Sequence, residues 1–198
     1  IKLVCTTTSG TDHIDKEYLK RSNIELVSAP GANAIAVVEY IIFTILLYSL
    51  DIGKPIKNLK VGVIGYGEIG SRLTQLLEEL GLYVLVNDPP KKKHHELNRE
   101  HFSIRQLVSE CDCLTVHVPL NEKTEYPTVN LLDYELLKEI KDEALIINSS
   151  RGNIVKESDL FRLLNKKPAV KVALDCWINE PAIDACLARE IWLSTPHI

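Results

Sequence analysis

The sequence predicts an α/β fold, a doubly wound parallel sheet, and three observations carry that prediction. Short apolar, β-branched runs alternate with helical segments from about residue 59 onward. The first of these runs, Val61 to Ile64, leads directly into Gly65-Tyr66-Gly67-Glu68-Ile69-Gly70. A helical pattern, a second apolar run and an acidic residue follow. Strands covered on both faces read as continuous apolar stretches, and strand–helix alternation implies parallel pairing through right-handed crossovers.

The glycine motif gains its meaning from that context. Gly65 permits a tight turn, Gly67 lets the backbone approach a pyrophosphate, and Gly70 lets the helix pack closely on the strand. The amides at the helix N-terminus, those of Glu68 and Ile69 among them, then face phosphate oxygens. The predicted helix places Ile69, Leu73, Leu76, Leu77 and Leu80 on one apolar face and stops at Gly81. Asp88 lies 18 residues after Gly70, at the end of the predicted strand Tyr83–Val86. A carboxylate there takes ribose hydroxyls and repels a 2′-phosphate, so the expected coenzyme is NAD rather than NADP. This is a Rossmann arrangement.

The remaining elements follow in order. Strand Lys2–Cys5, the polar turn Thr6 to Thr11, a short helix near Asp15–Arg21 and strand Ile24–Val27 form one αβ step, too little for a core of its own. Ala34 to Leu50 is a 17-residue, mostly apolar run whose single charge is Glu39. It is short for a membrane span and carries a charge, so it reads as a long helix buried between two domains. Further strands are expected at Leu114–Val118, Leu145–Asn148, Val170–Leu174 and Ile191–Leu193. Ser103 to Gln106 has the form of a capping box, and Asp133 and Ser158 stand where helix N-caps are expected. The run Lys91-Lys92-Lys93-His94-His95 reads as a solvated loop beside the adenosine end. These assignments give a remnant of a first domain over 1–32, an interdomain helix over 33–52 and a nucleotide-binding domain over 53–198.

Bulk properties narrow the classes. The chain has 198 residues, 45% hydrophobic and 25% charged, with a net charge of −4. An acidic balance argues against a nucleic-acid surface. The five cysteines (5, 111, 113, 176 and 186) are odd in number and lack a second pair at zinc spacing. They read as reduced core thiols of a cytoplasmic protein, with no metal site. No signal-peptide pattern is visible. Both ends look cut from a longer protein, because the chain opens inside a strand, lacks Met and closes directly after another strand.

Three polar residues follow three different strands, on the side where open α/β sheets bind ligands. Arg151 follows Leu145–Asn148, Glu180 lies a few residues past Val170–Leu174, and His197 follows Ile191–Leu193. Their types suit oxidation of a 2-hydroxy acid. Arginine holds a carboxylate bidentately, histidine takes a hydroxyl proton near neutral pH, and a glutamate fixes the imidazole.

Ser149-Ser150-Arg151-Gly152, the Asp175, Trp177, Glu180 and Pro181 cluster, and Thr195-Pro196-His197 resemble the motifs of the D-isomer-specific 2-hydroxyacid dehydrogenases. The resemblance covers nearly the whole chain. It implies that residues 1–32 are part of a flavodoxin-like substrate domain and that the NAD-binding domain follows. By position, Arg151 is expected to bind substrate carboxylate, Glu180 to pair with the histidine, and His197 to act as acid and base. Thr8 resembles a substrate-binding position, while Val118, Ser149, Ser150, Arg151 and Asp175 are expected to line the nicotinamide side. Val118 departs from relatives that carry a small polar residue there, which leaves only a backbone contact.

The resemblance further implies a small phosphorylated hydroxy-acid substrate and a homodimer in the complete protein, while charge and run length lead us to expect no nucleic-acid or membrane partner. Segments 9–15 and 31–40, with Asp88 to Pro90 and Tyr126 to Thr128, point to one branch of the family. The rival expectations are another D-2-hydroxy acid (lactate, glycerate or 3-phosphoglycerate) or a non-catalytic NAD-sensing protein. Such enzymes carry more of the substrate domain before this chain and more sequence after it. The substrate phosphate site is expected mostly in those parts.

Overall fold

The computed structural model describes residues 1–7 and 10–197. At the N-terminus β1 (Leu3–Cys5) and β2 (Glu25–Val27) pair in parallel around α1 (Lys16–Arg21). Asp15 starts α1 because its carboxylate accepts the Tyr18 amide at 2.8 Å. α2 (Ala34–Asp51) leads from this small sheet to a larger one.

The larger sheet has six parallel strands in the order β4-β3-β5-β6-β7-β8. These are β3 (Lys60–Ile64), β4 (Tyr83–Asn87), β5 (Cys113–Val116), β6 (Leu145–Asn148), β7 (Lys171–Leu174) and β8 (Leu193–Ser194). The chain leaves β3 to one side for β4, then returns to the other side of β3 for β5. A crevice therefore opens at the carboxyl ends of β3 and β5.

Alternation along the strands divides the interior in two. Val61, Val63, Leu145, Ile147 and Ala173 pack with α2 and α3 (Glu68–Glu79). Ile64, Leu114, Val116, Ile146, Val172 and Leu174 pack on the opposite face. That face is covered by α5 (Ile104–Glu110), α6 (Tyr134–Leu137), α7 (Glu157–Lys166) and α8 (Ala185–Glu190). α4 (Pro89–Lys93) is a single turn directly after β4.

Several sequence expectations are corrected. Ser158 is not a cap: α7 begins at Glu157, and Lys156 at the N-cap makes no side-chain capping bond. Lys91 to Lys93 belong to α4 rather than to a loop, because Asp88 caps that turn. β5 ends at Val116, so His117 and Val118 project beyond the ladder, and β8 is only Leu193–Ser194. Cys111, Cys113 and Cys176 are buried thiols, but Cys5 and Cys186 are exposed, because the small sheet and the α8 start lie at the surface. α2 is buried on one face only, with Ile35, Phe43, Leu46 and Leu50 exposed. It is also a helix long and apolar enough to cross a membrane by length and composition, yet its Val38, Ile41, Ile45 and Tyr48 side chains lie inside this fold.

The α3 face is narrower than its sequence pattern. Gly70, Leu73, Thr74 and Leu77 are buried, whereas Leu76 and Leu80 are 41% and 51% exposed. Only the residues aimed squarely at the sheet and α2 are covered. Leu73→Ala is accordingly expected to cost about 2–5 kcal/mol through transfer and cavity terms. Leu76→Ala is expected to cost roughly 0.5 kcal/mol or less. Urea unfolding of the two variants checks this; equal losses would contradict the packing.

Candidate active site

The glycine loop is shaped by contacts that exclude side chains. Gly65 has φ +95° and donates its amide to Asn87 O at 2.8 Å. A Cβ on Gly65 would overlap the His117 carbonyl, and one on Gly70 would overlap the Gly65 carbonyl. Gly67 is different: a Cβ there would meet nothing within 4 Å. α3 starts beside that open space without a side-chain cap, so its first amides are left for a ligand. Glu68 turns its side chain away to Arg72, 3.1 Å distant. This arrangement fits a pyrophosphate lying over Gly67 and the α3 N-terminus.

A crevice of about 710 Å³ runs from this loop past Asp88, His117, Val118, Pro119 and Thr128. Asp88 lines it, but its carboxylate is also structural. Oδ2 accepts the Tyr66 amide at 2.7 Å and Oδ1 accepts the Lys91 amide at 2.9 Å. Two backbone donors thus fix the carboxylate while each oxygen keeps a lone pair for ribose hydroxyls. Lys93 on α4 reaches both oxygens of Glu125, at 2.7 and 2.6 Å, and Glu125 lines the crevice.

The far end of the site is organised by loops that follow β6, β7 and β8. Asn148 folds the first: its Oδ1 accepts the Ser150 amide and hydroxyl at 3.1 and 2.8 Å, and its Nδ2 donates to Arg151 O at 2.9 Å. Gly152 lies against the Trp177 backbone with no room for a Cβ, so the Arg151 loop abuts the Glu180 loop. Asp175 is buried, and its Oδ1 accepts the Thr195 hydroxyl at 2.7 Å. Thr195 also lies 3.1 Å from the Tyr40 hydroxyl, which ties α2 to this corner. Burial pushes the Tyr40 phenol up, partly opposed by its bond to Thr195. Ser149 Oγ is buried without a hydrogen-bond partner among the described residues.

Glu180 and His197 are brought into direct contact. His197 Nδ1 lies 2.8 Å from Glu180 Oε2, while Glu180 Oε1 accepts the Trp177 amide at 2.7 Å. With a carboxylate as acceptor, Nδ1 carries the proton and Nε2 keeps its lone pair. Arg151 is bonded to neither; its Nε donates to the Asp12 carboxylate and its Nη1 to Ser150 O at 2.7 Å. Thr8 lies outside the described residues. Among the described residues no group of three His, Cys, Asp or Glu side chains is placed to hold a metal ion.

Sequence reasoning missed four participants. Asp12, Tyr40 and Thr195 stand in motif segments but were given no role of their own, because they act through partners far away in the chain. His117 is the fourth. Its Nε2 is 2.8 Å from Thr115 Oγ1, while its Nδ1 is buried without a partner among the described residues. Burial pushes this imidazole down to about 3. A histidine directly after an apolar strand, at the switch point, was the available signal.

A glycine loop at the switch point of a parallel sheet defines a dinucleotide-binding domain. The chain belongs to the D-isomer specific 2-hydroxyacid dehydrogenase family, whose NAD binding domain matches residues 48–198. It is 41% identical over all 198 residues to the erythronate-4-phosphate dehydrogenase of Hahella chejuensis, covering 51% of that protein. It is 39% identical to the enzyme of the same name from Escherichia coli O7:K1, covering 52% of it. The chain thus spans about half the length of the curated relatives it matches. Among solved structures, the NAD⁺-bound 3-phosphoglycerate dehydrogenase of Entamoeba histolytica superposes with a TM-score of 0.82 at 23% identity. That match covers 99% of this chain and 64% of the other. The doubly wound fold and the NAD expectation are borne out.

Proposed function

We propose that the complete protein is an NAD-dependent dehydrogenase that oxidises 4-phospho-D-erythronate to 2-oxo-3-hydroxy-4-phosphobutanoate, a step of vitamin B6 biosynthesis. The observation that carries the chemistry is the Glu180–His197 pair, with its Nε2 lone pair free, beside the loop that bears Arg151. Similarity to erythronate-4-phosphate dehydrogenases over the whole chain supports the choice of substrate.

In this reading Arg151 anchors the substrate carboxylate and so orients C2. His197 Nε2 takes the proton of the C2 hydroxyl as the C2 hydrogen leaves with its electron pair. Bound NAD supplies the hydride acceptor. Glu180 holds the imidazole in the required tautomer and stabilises the imidazolium that forms. Asp175 and the 149–151 loop border the nicotinamide side, and Asp88 takes the adenosine ribose. The exposed apolar side chains of α2 support a homodimeric assembly.

The test follows NADH absorbance with the complete protein and 4-phosphoerythronate, beside D-lactate, glycerate and 3-phosphoglycerate. Strong preference for 4-phosphoerythronate is expected. Preference for another of these acids would overturn the substrate and leave the mechanism standing. Tight NAD binding without turnover of any of them would favour a non-catalytic nucleotide sensor.

A further inference from the structure

The Gly10-Thr11-Asp12 turn is the part of the N-terminal step that the proposed reaction leaves unused. It lies against Arg151, 139 residues further along the chain from Asp12. Arg151 Nε donates to the Asp12 carboxylate, and its Nη1 donates to Ser150 O. A Cβ on Gly10 would overlap the guanidinium and lie 3.4 Å from Asp12 Oδ2. Glycine, carboxylate and guanidinium thus form one cluster, and a side chain at position 10 would displace the arginine.

We propose that Gly10 and Asp12 form a positioning cradle for Arg151, with Asp12 aligning the guanidinium so that its other N–H groups take the substrate carboxylate. This rests on the reading of Arg151 as the carboxylate anchor. A guanidinium has five N–H donors. The Asp12 and Ser150 bonds use two of them. A bidentate carboxylate needs two of the remaining three, so Asp12 and substrate are bound together rather than in competition. A free arginine side chain samples many rotamers; one bonded through Nε at its inner edge presents a fixed plane. The cradle belongs to the N-terminal step and Arg151 to the large sheet. Substrate affinity is therefore coupled to the docking of one on the other, whereas NAD affinity is not.

Exposed ion pairs contribute little to stability, and the side chains of Arg151 and Asp12 are 32% and 49% exposed. Loss of Asp12 should therefore leave the fold intact. The experiment uses the complete protein, with steady-state kinetics on 4-phosphoerythronate and NADH titration by fluorescence. Asp12→Ala is expected to raise KM for the hydroxy acid about tenfold or more, with a much smaller change in kcat and unchanged NADH affinity. Asp12→Asn keeps an acceptor oxygen for Nε and is expected to fall between wild type and Asp12→Ala. Gly10→Ala is expected to reproduce the KM effect by displacing the guanidinium. An unchanged or lowered KM in Asp12→Ala, with NADH affinity intact, overturns the cradle while the dehydrogenase reading stands. Wild-type protein that binds NADH but turns over no 2-hydroxy acid overturns the dehydrogenase reading itself, and the cradle's substrate role with it.

Discussion

Replacing His197 with glutamine in the complete protein is expected to lower kcat by about 10²–10⁴-fold, the usual contribution of a positioned general base. The geometry argues for an effect on kcat rather than on KM. His197 donates through Nδ1 to Glu180, which leaves Nε2 to take the hydroxyl proton in the proposed reaction. Glutamine can fill the space but accepts no proton at neutral pH. In the proposed mechanism substrate anchoring falls to Arg151 on a separate strand end, so KM should change little. Coenzyme affinity should be unaltered, since the glycine loop and Asp88 lie across the switch point from His197. Stopped-flow measurement of the first turnover separates the chemical step from product release. Near-normal turnover in this variant would remove His197 from the mechanism and, with it, the role of Glu180.

The second large effect concerns stability rather than turnover. Burial holds the His117 imidazole at about 3 in the folded protein. In the unfolded chain an ordinary histidine titrates near 6.5. Below pH 6.5 the unfolded state therefore binds a proton that the folded state does not. The His117 contribution is present in full above pH 6.5 and is lost as pH falls toward 3. Each pH unit costs about 1.4 kcal/mol, so a drop from pH 6.5 to 4.5 should remove roughly 2.7 kcal/mol through this residue alone. Urea unfolding at pH 7 and pH 4.5 measures the loss. His117→Gln, which cannot titrate, should lose that much less over the same interval. Equal losses in the two proteins would show that His117 is solvated or already charged in the folded state.

Much of the fold was legible because its determinants act over a few residues. The five central apolar runs became β3 to β7 with ends shifted by at most two residues, and β6 matched at both ends. Ser103 and Asp133 cap their helices as their spacing implied, since a cap is a contact between neighbours three residues apart. Ser158 failed because its neighbour Glu157 starts α7 and accepts the Ile178 amide from the next loop, a contact absent from local sequence. Leu76 and Leu80 failed for a related reason. Periodicity marks which side chains share a face, but the curvature and spacing of the packed elements decide how wide a face is covered.

The candidate site divides along the same line. Gly65, Gly67 and Gly70 could be read from spacing because the steric demands of a tight turn are local. Glu180 and His197 could be placed at neighbouring strand ends, and their bond followed once β7 and β8 paired in register. The double duty of Asp88 was hidden, because its bond to the Tyr66 amide depends on how β3 and β4 align.

By itself the sequence determined the strand–helix alternation, the glycine turn, the coenzyme class and the residue types of the Glu180–His197 pair. Those follow from steric and hydrogen-bonding rules that operate within one turn or one strand. Only the tertiary structure decided that Asp12 meets Arg151, that Tyr40 reaches Thr195, and that His117 Nδ1 is buried. Each of these depends on sheet order, register and the docking of α2 and the N-terminal step, which bring together groups that no local pattern connects.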